Sequence, residues 1–217
     1  MTKLLKPHDY NTSVFINCPY DSAYEPLLHG IVFAVHHMNL KPKLALDSVD
    51  AGHPRLEKIF HLIQNCKYSI HDLSRTELDP NHGFPRFNMA FELGLDLGCK
   101  RFGKRHHEEK TALILDHDRY RYRSFISDIA GLDIEEHNGS VASVITVVRN
   151  WLRHSFDTFS VLAPSGSAIN GRYQSFQRAL PKMCKRFNWD VDNLPYADFS
   201  WAVHDWIENN PHNVQWP

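Results

Sequence analysis

The chain lacks the glycine signatures of the common nucleotide-binding turns. The turn after its first apolar run, Asn17-Cys18-Pro19-Tyr20-Asp21-Ser22, contains no glycine. A G-x-G-x-x-G turn lets bare backbone approach a pyrophosphate, so dinucleotide redox binding of that type is disfavoured here. No G-x-x-x-x-G-K-[ST] run occurs, which argues against ATP hydrolysis by that loop. Cysteine is sparse: Cys18, Cys66, Cys99 and Cys184 lie far apart, with no C-x-x-C pair. That spacing speaks against a zinc ribbon and against a secreted disulfide framework, and predicts a reducing, cytoplasmic setting. Net charge is also nearly absent, at −1, so no global field draws the protein to nucleic acid or membrane. Long apolar runs are missing too. Gly30 to Val35 is too short to span a bilayer, and the first eleven residues lack the apolar core of a signal peptide. There is no H-E-x-x-H. The 15 histidines are scattered, and neighbours such as His36-His37 point in different directions on a helix. They read as surface or satisfied polar groups, and the reading assigns no metal and no cofactor.

What is present is an alternation of strand and helix patterns. Ser13 to Asn17, Lys43 to Leu46, Lys67 to Leu73, Thr111 to Leu115 and Leu132 to Ile134 read as strands. Between and after them, Ser22 to Leu40, Arg55 to Asn65, Pro85 to Gly98, Ser124 to Ala130 and Ser140 to His154 have helical spacing. Five such alternations predict an α/β fold, a flavodoxin-like parallel sheet with helices on both faces. Past Phe156 the pattern changes to a linker-like Ala163 to Ser167 and two helical segments. We therefore expect an α/β domain over residues 1–157 and a helical C-terminal extension over 158–217.

Ligands of open parallel sheets bind at the carboxyl ends of the strands. Four polar clusters fall there: Asn17 to Asp21, Asp47 to Asp50, Asp72 to Arg75 and Asp116 to Arg119. A strand-end aspartate equally caps the next helix or starts a turn. Glu92 raises a different question, because it sits in the middle of a largely apolar helix. Asn88, Glu92 and Asp96 share one face at i, i+4 spacing. They form a solvated stripe or a working one. Phe87 and Phe91 beside Glu92, with a second acid four residues on, predict a raised carboxyl pKa suited to acid/base work. Gly94 and Gly98 are expected to permit close packing.

Together, the strand leading into Asn17-Cys18-Pro19-Tyr20, the run Ile70-His71-Asp72-Leu73-Ser74 and the helix with Phe91-Glu92-Leu93-Gly94 resemble the nucleoside 2-deoxyribosyltransferase pattern. Nucleotide-cleaving Toll/interleukin-receptor-like domains share its broad architecture. The resemblance covers about Ser13 to Asp116. It implies Glu92 as the nucleophile at the anomeric carbon and Asp72 as the acid that positions or protonates the nucleoside. Beside it, Tyr20 and Tyr24 are placed to stack on a base or to pack in the core. Arg75 suits a phosphate or is a solvated loop charge. Asn88 suits a sugar hydroxyl or is a helix-start residue, and Asn17 and Asp21 complete the expected substrate-binding set.

The expected activity is cleavage of the N-glycosidic bond of a nucleoside, nucleotide or NAD. The resemblance extends to bacterial anti-phage defence proteins that deplete nucleotides. The alternative is a non-catalytic nucleotide-sensing or scaffold module of the same fold. A metal hydrolase lacks a ligand constellation. The long loop from Ser74 to Pro85 reads as a lid. The C-terminal aromatics, among them Tyr173, Phe176, Phe199, Trp201 and Trp206, read as core or as an interface, with a homo-oligomer expected. The basic run Lys100 to Arg105 is a solvated loop or a contact for nucleic acid or a protein partner.

Overall fold

The computed structural model describes residues 9–47, 52, 54–76, 83, 87–155 and 163–211. In chain order the elements are β1 (Ser13–Asn17), α1 (Glu25–His37), β2 (Lys41–Lys43), α2 (Arg55–Asn65), β3 (Tyr68–Asp72), α3 (Asn88–Phe102), β4 (Thr111–Asp116), β5 (Ile134–Glu136), α4 (Val141–Ser155), α5 (Gly166–Phe187) and α6 (Tyr196–Asn209). The five strands form one parallel sheet in the order β2-β1-β3-β4-β5. This is the flavodoxin-like α/β arrangement expected from the alternation. Its switch point lies between β1 and β3, where the chain reverses its direction of travel across the sheet.

The chain packs as two compact units. The first holds residues up to Tyr24 and from Lys41 to Asn138, and so contains the sheet with α2 and α3. Every residue of β1 and β3 is buried, as befits inner strands of a parallel sheet, and the polar ones among them, such as Asn17, His71 and Asp72, are hydrogen-bonded. On one side, Phe15 packs with Ile59, Ile63 and Cys66 of α2 and its end. Around α3, Met89 and Leu93 meet Leu73, Ile114 and Tyr122. Each such aliphatic side chain contributes about 1.5–3 kcal/mol when fully buried.

The second unit gathers α1, α4, α5 and α6. Its centre is aromatic: Phe33 lies 5.3 Å from Tyr173 and 5.7 Å from Phe176, and Phe176 lies 5.7 Å from Phe199, ring centre to ring centre. His29 stacks on Phe199 at 3.7 Å, and burial pushes its pKa down to about 4. Gly166 opens α5 directly against Thr146, where a Cβ would fall 2.8 Å from the Thr146 Cα. Of the expected C-terminal aromatics, Tyr173, Phe176 and Phe199 are therefore core, while Trp201 is exposed. No described helix is long and apolar enough to cross a membrane.

Several element boundaries differ from the sequence reading. Strand two occupies Lys41–Lys43, and Ala45–Asp47 forms a 3₁₀ turn. Pro42 is tolerated because β2 is an edge strand, and Leu44, between strand and turn, and Ala45, which opens the turn, are buried without extending the sheet. The expected charged loop from Lys100 is partly helical: α3 runs on to Phe102, and Arg105–Glu109 is a 3₁₀ turn. The short helix expected over Ser124 to Ala130 is two 3₁₀ turns, Arg121–Ser124 and Ser127–Ile129. Most of the proposed lid, residues 77–82 and 84–85, lies outside the described residues, as do residues 48–50 of the Asp47 to Asp50 cluster.

Candidate functional site

The carboxyl ends of β1 and β3 carry the candidate residues, and α3 brings Glu92 to them. Asn17, the last residue of β1, donates through Nδ2 to the carbonyl of Met89 in the first turn of α3, at 3.0 Å. Three residues further on, Glu92 is only 6% exposed. Among the described residues its charge partner is Arg55 at the start of α2, with Nη2 3.8 Å from Oε1. The Arg55 guanidinium also lies 5.9 Å from the centre of the Tyr20 ring. Tyr20, Arg55 and Glu92 thus form one corner beside the end of β1.

Burial raises the Glu92 carboxyl above its ordinary value of 4.5, and the Arg55 charge opposes part of that rise. The sequence reading expected the rise, but for a different reason. Phe87 and Phe91 are 65% and 54% exposed and do not enclose the carboxylate. Asp96 is buried in an ion-pair network of its own, and the rise comes from burial of Glu92 itself. Gly94 permits no close approach either, since a Cβ there would meet nothing within 4 Å. Arg55→Ala removes the opposing charge. It is expected to raise the Glu92 pKa further, moving the acid limb of any kcat/KM profile to higher pH. High salt should shrink the difference between the two proteins, because Arg55 is half-exposed.

Asp72 is placed differently. Its Oδ2 accepts from the Tyr24 hydroxyl at 2.5 Å and lies 3.1 Å from His137 Nε2, while Oδ1 accepts from the Ser74 N–H at 2.8 Å. Burial alone would raise this carboxyl, but His137, Ser74 and Tyr24 outweigh it and hold the pKa below the ordinary value. Asp72 is therefore an ionised carboxylate with both oxygens engaged. That geometry suits positioning and does not suit donating a proton. Cys18 lies buried within the fields of Asp72 and Glu92. Burial first, then those charges, keep it a thiol, so it is no nucleophile.

A second buried network runs beneath this edge. The Met89 carbonyl fixes the orientation of the Asn17 amide, so the amide also donates to His71 Nδ1 at 3.0 Å. His71 Nδ1 is then an acceptor, and Nε2 carries the hydrogen facing Asp96 Oδ2 at 3.2 Å. Asp96 further accepts from the Ser69 hydroxyl at 2.6 Å and pairs with Lys110 Nζ at 2.9 Å. Burial alone would raise Asp96, yet His71, Lys110 and Ser69 hold it well below 3.8. A carboxyl depressed by folding adds stability that is present above its unfolded pKa and is lost as pH falls below it. Thermal melts of wild type and Asp96→Asn from about pH 5 to pH 2 should therefore show a flatter acid decline in the variant.

The remaining expected site residues scatter. Asn88 opens α3 and is exposed. Arg75 and Asp21 pair with each other at 3.5 Å, and Asp21 also accepts from the Tyr24 N–H at 3.0 Å. Arg55 and His137 were missed because they lie outside the strand-end clusters and far from Glu92 in sequence, and only the fold brings them to the site. Among the described residues no group of three or more His, Cys, Asp or Glu is arranged to hold a metal. An open hollow of about 560 Å³ belongs to the helical unit, lined by Pro181, Cys184 and Trp189 among others, and none of the site residues borders it. No protein-family model, curated protein or solved structure matches the chain significantly.

Proposed function

We propose that the protein cleaves the N-glycosidic bond of a nucleoside, nucleotide or NAD, with Glu92 as the carboxylate that meets the anomeric carbon. The observation that carries this reading is a buried glutamate with a raised pKa at the sheet's switch point, paired only at 3.8 Å with a half-exposed arginine. A purely structural ion pair gains little in that geometry, since a partly exposed pair contributes about 0–1 kcal/mol. Burying the carboxylate costs more than such a pairing returns, as is common for groups kept for their chemistry. The nucleoside deoxyribosyltransferase resemblance supports the same assignment.

In this reading the bond between the sugar carbon and the base nitrogen breaks, and its electron pair leaves with the base. Glu92 stabilises the oxocarbenium-like centre or bonds to it as a glycosyl ester. Water or a second base then takes the sugar. Asp72 orients the substrate through its network with Tyr24 and His137. The departing nucleobase takes its proton from solvent water, since the Asp72 carboxyl lies below its ordinary pKa and is ionised at neutral pH, whereas nicotinamide leaves NAD neutral and needs none. Nucleotide depletion in anti-phage defence, in a cytoplasmic setting, is the purpose the resemblance offers.

The second reading is a nucleotide-binding module without turnover, in which a ligand simply displaces Arg55 from Glu92. Incubating the protein with a panel of nucleosides, nucleotides and NAD separates the two. The enzyme reading expects free base by chromatography. Adding a second base then distinguishes transfer, which yields a new nucleoside, from hydrolysis, which yields free sugar. Tight binding with no product from any panel member would favour the module.

A further inference from the structure

The edge that carries Glu92 and Asp72 continues to β4, and there the chain presents an arginine–tyrosine cluster that the glycosidic chemistry does not use. The loop His117 to Arg123 leaves the carboxyl end of β4. Arg121 turns inward and anchors it: Nε lies 2.9 Å and Nη2 2.5 Å from Asp116 Oδ1, and Nη2 also donates to the Leu73 carbonyl at 2.8 Å. That last bond ties the loop to the residue directly after Asp72. Asp116 and Asp72 are close enough for the Asp72 charge to act on the Asp116 carboxyl.

On the outer side of the same loop, Tyr120 is 51% exposed and holds a left-handed backbone, φ +66°. This conformation is unfavourable for a tyrosine and marks a position held for a reason other than local preference. The Arg119 and Arg123 guanidinium carbons lie 5.3 Å and 4.4 Å from the centre of its ring. Both arginines are exposed, and among the described residues neither side chain pairs with a carboxylate. The nearby acids are engaged elsewhere. Asp118 pairs with His117 at 2.8 Å, Asp116 with Arg121, and Glu136 accepts the Arg119 backbone N–H at 3.0 Å. Two like charges gathered at one ring repel each other, and an anion between them relieves that repulsion. Guanidinium groups match phosphate oxygens in a fork, and an exposed aromatic ring adds a stacking face.

We infer that Arg119, Tyr120 and Arg123 bind the phosphoryl group of the substrate, so that the protein acts on phosphorylated nucleosides, mononucleotides or dinucleotides, in preference to free nucleosides. This rests on the glycosidic reading of Glu92 for the other end of the ligand. Adjacent strands lie about 4.8 Å apart, so the ends of β1 and β4, two strands apart in the sheet, are separated by about 10 Å. One nucleotide reaches across that distance. Arg75, the phosphate candidate of the sequence reading, is instead occupied by Asp21.

The test is equilibrium binding to Glu92→Gln protein, so that turnover cannot consume the ligand. The ligands are nucleoside 5′-monophosphates and NAD, each beside its unphosphorylated nucleoside. At least one phosphorylated member should bind tenfold or more tightly than its nucleoside. An added Arg119→Gln/Arg123→Gln pair should reduce that gain to less than twofold. Tyr120→Gly should weaken the same ligand without lowering Tm, because glycine accepts the left-handed backbone; a purely structural tyrosine would cost stability instead. Equal binding of both ligand classes, or a gain that survives the double substitution, overturns the inference. Base release from free nucleosides that depends on Glu92 but not on phosphate would keep the glycosidic reading and overturn this one. Phosphate-dependent binding lost in the double variant, with no base release by wild type, would do the reverse.

Discussion

Lys110→Met is expected to destabilise the protein by about 3–5 kcal/mol, the cost of leaving a buried charge without its partner. Lys110 is almost wholly buried. Its ammonium donates to the carbonyls of Ile63 and Cys66 at 2.9 Å and 2.6 Å, and pairs with Asp96 at 2.9 Å. Ile63 is in the last turn of α2 and Cys66 follows that helix, so the cation also sits where the helix dipole favours positive charge. Methionine keeps the volume and removes all three interactions, so a cavity does not account for the loss. Asp96→Leu in the same chain should recover part of it, since a buried pair replaced on both sides by apolar groups is often close to neutral. Urea denaturation of the three proteins measures both steps. A loss below about 1 kcal/mol for Lys110→Met would show that Asp96 finds another partner.

The second large effect belongs to Glu92. Glu92→Gln should lower base release by about a thousandfold or more, the scale at which a carboxylate acting at the reacting carbon contributes. The same change should not destabilise the fold. The Glu92 pKa is raised on folding, so the ionised form costs stability as pH rises through the ordinary value of 4.5 and beyond. A neutral amide removes that cost, and Tm at pH 7 should hold or rise. Ligand affinity should stay within severalfold, because the amide fills the same space. A structural glutamate would behave in the opposite way, losing Tm and leaving no activity to lose.

The sequence pattern made the scaffold legible where periodicity was clean. Leu56, Ile59, Phe60 and Ile63 repeat at helical spacing, and α2 spans Arg55–Asn65 as expected. Ser13–Asn17 is likewise the first strand. β2 was legible only approximately, because three residues with a proline carry no alternation to read. The face of α3 was misjudged for a related reason. Glu92 and Asp96 are buried while Phe87 and Phe91 are exposed, the reverse of what hydrophobicity favours. What buries the two acids is their partners. Arg55 lies 37 positions before Glu92, and Lys110 lies 14 after Asp96, separations at which no local pattern signals an ion pair. His71 stands in the run Ile70-His71-Asp72-Leu73-Ser74, yet its place between Asn17 and Asp96 depends on the strand order. Asp72 was found, but only its bonds to Tyr24 and Ser74 and its contact with His137 show that it stays ionised.

One comparison decides the role of Glu92: free base released by wild type and by Glu92→Gln, read by chromatography on the same nucleosides, nucleotides and NAD. Wild type is expected to release base from at least one phosphorylated member, while Glu92→Gln stays at the level of the ligand incubated alone. Equal release by both proteins, or release by neither while both bind the ligand, would contradict that role and return Glu92 to an ion pair with Arg55.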